Sequence, residues 1–174
     1  MSSDWRELHK RATELVASLP RSVLRPPGPA PADDFPDDIL PFDIYRGTRQ
    51  NVERIADQIN KSFFLGVYDG CAVLMRRLME MLLVLAFQEH NLEQKIRGAD
   101  GNYVQLSDMV DIAAQDSTLK FTRNAKEYFG IFREKGNLSA HNPFHICRRK
   151  DLELVQPKFR HLVEELLHKA GILT

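Results

Sequence analysis

Residues 68–90 constrain the fold most. Cys71, Val73, Leu74, Leu78, Met81, Leu82, Leu83, Val84, Leu85, Ala86 and Phe87 fall within this one stretch. A helix of that composition is apolar over most of its circumference and has to be covered on nearly every side. It predicts a helix at the centre of a bundle or at a subunit interface. The longest apolar run inside it, residues 79–87, is too short to cross a bilayer and contains Glu80.

The rest of the chain supplies helical partners. Trp5, Leu8, Ala12, Leu15, Val16 and Leu19 recur at helical spacing over residues 4–19, with Ser3 or Asp4 as cap and Pro20 as stop. Thr48 caps a helix over 49–64, whose Val52, Ile55, Ile59 and Phe63 share one face. A polar loop around Gly98 and Gly101 leads to a short helix over 106–114. Ser117 or Thr118 caps the next helix, from about residue 119, with Phe121, Ala125, Tyr128, Phe129 and Phe132 inward. The last helix starts after Asp151, or at Gln156 with Pro157 in its first turn, and ends before Gly171. No period-two alternation occurs, so the predicted fold class is all-α.

Prolines 20, 26, 27, 29, 31, 36 and 41 argue against a regular helix or central strand over 20–47. Pro26 to Pro31 read as an extended linker. Asp33, Asp34, Asp37 and Asp38 form an acidic cluster whose plain reading is a solvated turn. Phe35, Ile39, Leu40, Phe42, Ile44 and Tyr45 are too apolar for free chain and should lie across the helical body or a partner. The expected organisation is an N-terminal helix and Pro-rich arm over 1–47, then a helical bundle over 48–174.

Basic and acidic residues balance at 24 each, which removes any global electrostatic case for nucleic-acid binding and leaves only local basic faces. Arg148, Arg149 and Lys150 form the one dense basic run, a candidate contact for phosphate backbones against the plainer reading of a solvated loop. Cys71 and Cys147 make no CxxC pair, so no disulfide framework or structural zinc is expected. His141 and His145 lack a third ligand, and Pro143 separates them; no metal or cofactor is expected. The first residues spell no secretory leader, and the expectation is a soluble, cytoplasmic bacterial protein without membrane association.

Chemically capable side chains concentrate in Arg133-Glu134-Lys135-Gly136-Asn137-Leu138-Ser139-Ala140-His141. Arg133, Asn137 and His141 are spaced four apart. On a continuous helix they share one face, each step rising about 6 Å and drifting about 40°. Gly136-Asn137 also reads as a helix C-cap pair, which would break that ridge. Upstream, Leu74-Met75-Arg76-Arg77-Leu78-Met79-Glu80 places Arg76 and Glu80 four apart, the spacing of a helical ion pair.

Together these stretches resemble the HEPN superfamily, most closely an uncharacterised bacterial branch with an R-E-x-G-N-x-x-A-H signature and an upstream L-R-x-x-x-E. The likeness covers roughly residues 68–167. It implies an up-and-down helical bundle that forms a homodimer with its motifs facing each other. It also implies binding of RNA or nucleotide, and in some members metal-independent endoribonuclease activity in bacterial defence or toxin systems. On that pattern His141 would move a proton, Arg133 would hold the phosphate and Asn137 would orient one or the other. The catalytic pattern places four to six residues between Arg and His, whereas seven separate Arg133 from His141. The alternative is a non-catalytic homodimerisation or protein-interaction module that keeps the motif for packing. Arg76 and Glu80 read as a structural ion pair.

Overall fold

The computed structural model describes residues 38–173, together with Glu7, Lys10, Arg11 and Glu14. Contacts divide the chain into two units, 1–33 and 34–174. In the first, the four described residues are helical, and Arg11 pairs with Glu7 at 3.4 Å. The remaining readings for residues 1–37, including the linker and Asp33, Asp34 and Asp37, lie outside the described residues.

Described residues of the second unit form seven α-helices and no strand: α1 (Phe42–Tyr45), α2 (Gln50–Phe64), α3 (Tyr68–Glu89), α4 (Leu106–Gln115), α5 (Arg123–His141), α6 (Arg149–Glu153) and α7 (Gln156–Lys169). A 3-10 turn, Glu93–Ile96, joins α3 to the loop before α4. None of these helices is long and apolar enough to cross a membrane. The all-α expectation is met.

The apolar segment behaves as its composition demands. α3 is the central helix, packed against α5, α2 and α7, and its Cys71, Met75, Leu78, Met79, Leu82, Leu83 and Phe87 are buried. Burial pushes the Cys71 thiol up to about 12, with a smaller contribution from Cys147, so Cys71 is a small apolar filler. Across the core, Phe132 of α5 meets Phe159 of α7 at 4.9 Å between ring centres, and Phe121 meets Phe129 edge-on at 5.1 Å. These contacts hold α5 against α7 and against the segment that precedes it, while α5 itself packs along α3, the arrangement on which the site depends.

Residues 38–45 belong to this core. Ile39 and Leu40 are fully buried. The buried Asn60 side chain accepts from the Leu40 amide at 3.0 Å and donates to the Leu40 carbonyl at 2.7 Å, replacing the sheet or helix bonds this segment lacks. Gln156 donates to the Asp38 carbonyl at 2.6 Å, and Arg160 donates to the carbonyls of Asp38 and Ile39. Asn60→Ala strands both Leu40 groups and should cost about 1–3 kcal/mol, read as an earlier urea midpoint at unchanged slope.

Two helix starts differ from expectation. α2 begins at Gln50 with Arg49 as its N-cap, and the Thr48 hydroxyl donates back to the Tyr45 carbonyl instead of capping it. α5 begins at Arg123 with Thr122 as cap, its hydroxyl accepting from the Ala125 amide at 3.1 Å. Residues 117–119 instead form a turn held by Asp116, and Lys120 takes a positive φ of 47°. The last helix takes the second of its two expected starts, at Gln156 with Pro157 in its first turn, and the short α6 ends before it at Glu153. Proline supplies no amide hydrogen, so a helix start is where it costs least.

Candidate functional site

α5 runs unbroken through Gly136 and Asn137 to His141, and Asn142 is its C-cap. The C-cap reading of Gly136-Asn137 therefore does not hold, and Arg133, Asn137 and His141 form a ridge. The reason for a glycine inside the helix lies on α3. A Cβ at position 136 would stand 2.5 Å from the Arg76 Cβ and 2.8 Å from its Cδ. Gly136 is buried because the Arg76 stem passes directly over it. Glycine costs helix stability relative to alanine, about 1 kcal/mol, and here that cost admits a close crossing of two helices.

The ridge forms one side of an open groove of about 640 Å³. Arg133, Asn137 and His141 line it with Gly130, Glu134 and Leu138 of the same helix, with Arg76 of α3, and with Gln105, Leu106 and Ser107 at the start of α4. Asn137 and His141 are exposed and Arg133 is half-buried. Among the described residues, none of these three side chains has a hydrogen bond or ion pair within the chain. The groove thus gathers two half-buried guanidinium groups, an exposed imidazole and an exposed amide against one carboxylate, Glu134.

Comparison with known protein families, with curated proteins and with solved structures finds no match. The chemistry of the groove has to be read from its own side chains.

Arg76 and Glu80 do meet, at 3.8 Å between Nη1 and Oε2, both partly exposed. Arg76 is also part of the groove, which its ion-pair spacing alone did not indicate. The helix-interior Gly136 was the available signal: a residue without a side chain inside a good helical pattern marks a close approach by something else. Gln105 and Ser107 carried no sequence signal at all.

The basic run stands apart. Arg148, Arg149 and Lys150 are exposed and line no part of the groove. Their segment starts α6: the Arg148 amide donates to Asp151 at 2.9 Å, and Arg149 pairs with Glu153 at 2.6 Å and stacks over Phe63 at 4.9 Å. Among the described residues, no three of His, Cys, Asp and Glu lie close enough together to hold a metal ion. Near His141, Phe144 is 92% and Ile146 72% exposed, a pair of large apolar side chains held at the surface.

Proposed function

We propose that this chain is a HEPN-like domain that binds RNA and cleaves it without a metal, in a cytoplasmic bacterial defence or toxin setting. The observation that carries the reading is the unengaged Arg133–Asn137–His141 ridge along an open groove. A histidine kept for packing would be buried and bonded to backbone; His141 is neither.

The chemistry balances simply. The His141 imidazole takes the proton of a ribose 2′-hydroxyl, and the oxygen attacks the adjacent phosphorus. The 5′-oxygen leaves with a proton, giving a 2′,3′-cyclic phosphate and a 5′-hydroxyl. Guanidinium groups stabilise the charge that builds on the phosphate oxygens. One imidazole per chain serves as base, and a second copy facing the first would bring the acid. Phe144 and Ile146, exposed a few residues beyond His141, supply apolar surface for such a homodimer. The same surface favours the second reading, a non-catalytic dimerisation module.

The test is incubation of wild type and His141→Ala with mixed RNA in excess chelator. Wild type should yield cyclic-phosphate ends, and the variant should be slower by about 10²–10⁴-fold. Equal cleavage by both removes the histidine mechanism. Dimerisation without cleavage by either assigns the chain to the second reading.

A further inference from the structure

We propose that Arg76 is the second oxyanion ligand of the groove, and that Glu80 competes for it and is displaced when a phosphate binds. This rests on the functional reading above for the identity of the phosphate as RNA, but not for the existence of an oxyanion site.

Three observations converge. First, the placement of Arg76 is built into the sequence of the facing helix, because only glycine at 136 lets the arginine stem cross there. Second, its hydrogen-bonding is incomplete. Arg76 Nε is buried and has no partner, and the nearest carboxylate, Glu80, stands at 3.8 Å, beyond hydrogen-bond distance. A guanidinium has five donors in a planar fork and favours a bidentate acceptor. Third, the level along α5 suits the chemistry. Gly136 lies five residues before His141, an axial rise of about 7.5 Å, whereas Arg133 lies eight before it, about 12 Å. Arg76 therefore enters the groove at a level along the α5 axis nearer to that of His141 than the root of Arg133 is. An oxyanion above Asn137 would be reached by Arg133 from one side and by Arg76 from the helix alongside.

A structural bridge and a displaceable competitor make opposite claims about Glu80. If the pair holds α3 in place, removing either charge harms the protein in the same way. If Glu80 competes with the ligand, removing its charge frees Arg76.

The experiment has two arms on the full chain. In the first, the arginine Nε–H resonances are followed by NMR during titration with inorganic phosphate at constant ionic strength, and Arg76→Lys identifies the Arg76 signal. That signal should shift in wild type and saturate at lower phosphate in Glu80→Gln. An unmoved Arg76 signal overturns the proposal, as does weaker binding in Glu80→Gln. In the second, anisotropy of a fluorescein-labelled oligouridylate is measured against salt. Arg76→Met should weaken binding about tenfold and lower the log–log salt slope by about 0.7, one phosphate contact on a single strand. Unchanged affinity and slope overturn it. If wild type binds phosphate through Arg76 but not the oligonucleotide, the RNA reading fails and the oxyanion site stands.

Discussion

Gly136→Val is expected to lower the melting temperature by about 10 °C, whereas Gly130→Ala, about one and two-thirds turns earlier on the same helix, should raise it slightly. The two glycines face different surroundings. A Cβ at 130 meets nothing within 4 Å, so alanine adds helix propensity, about 0.5–1 kcal/mol, and strains nothing. A Cβ at 136 arrives 2.5 Å from the Arg76 Cβ. That atom is fixed to the α3 backbone and cannot swing aside as the end of a long side chain would. The helices must separate, and α3 is packed on several other elements at once. Overpacking of this kind costs about 3 kcal/mol, and in a domain of this size each kcal/mol moves the midpoint by about 2–4 °C. Scanning calorimetry of the two variants checks both signs. A neutral Gly136→Val would mean that α3 and α5 do not cross closely at this point. The same variant should lose the Arg76 phosphate response, because the residue displaced is the one that enters the groove.

Much of the architecture is legible in the sequence because apolar spacing is a local property. Residues 68–90 are apolar nearly all round and become the central helix; Phe121, Ala125, Phe129 and Phe132 face inward as their spacing requires. Ile39 and Leu40 were too apolar to remain uncovered, and they are buried. Illegible features depend on residues distant in sequence. Gly136-Asn137 has the spelling of a helix end, and only Arg76, sixty positions earlier, explains why a glycine stands inside a helix that continues. Gln105 and Ser107 reach the groove through tertiary packing alone. The start of α5 is not legible because Ser117 and Thr118 resemble caps, while the group that organises the turn is the carboxylate just before them.

That carboxylate carries the second large effect. Asp116 is buried, and its Oδ1 accepts from the amides of Thr118 at 2.8 Å and Leu119 at 3.0 Å. Its Oδ2 takes a 2.6 Å bond from Lys95, on the 3-10 turn after α3. One side chain thus closes the turn that launches α5 and ties it to the end of the central helix. Asp116→Ala leaves the Leu119 amide buried without an acceptor and removes the tie, for a cost of about 3 kcal/mol. The pH dependence has a definite sign. Burial pushes the Asp116 carboxyl upward, but the Lys95 bond and the two amides outweigh it and hold the group below the usual carboxylate range. A carboxyl depressed in the folded state contributes its full stability above its unfolded value, about 3.9, and loses it as the pH falls from there toward the folded value. Asp116→Asn keeps one oxygen for the amides but cannot titrate. The stability difference between wild type and Asp116→Asn, from urea unfolding, should therefore be largest near pH 7 and shrink as the pH drops below 4. A gap that stays constant across that range would show that the amide bonds, and not the ionised pair with Lys95, hold the turn from which the groove-bearing helix begins.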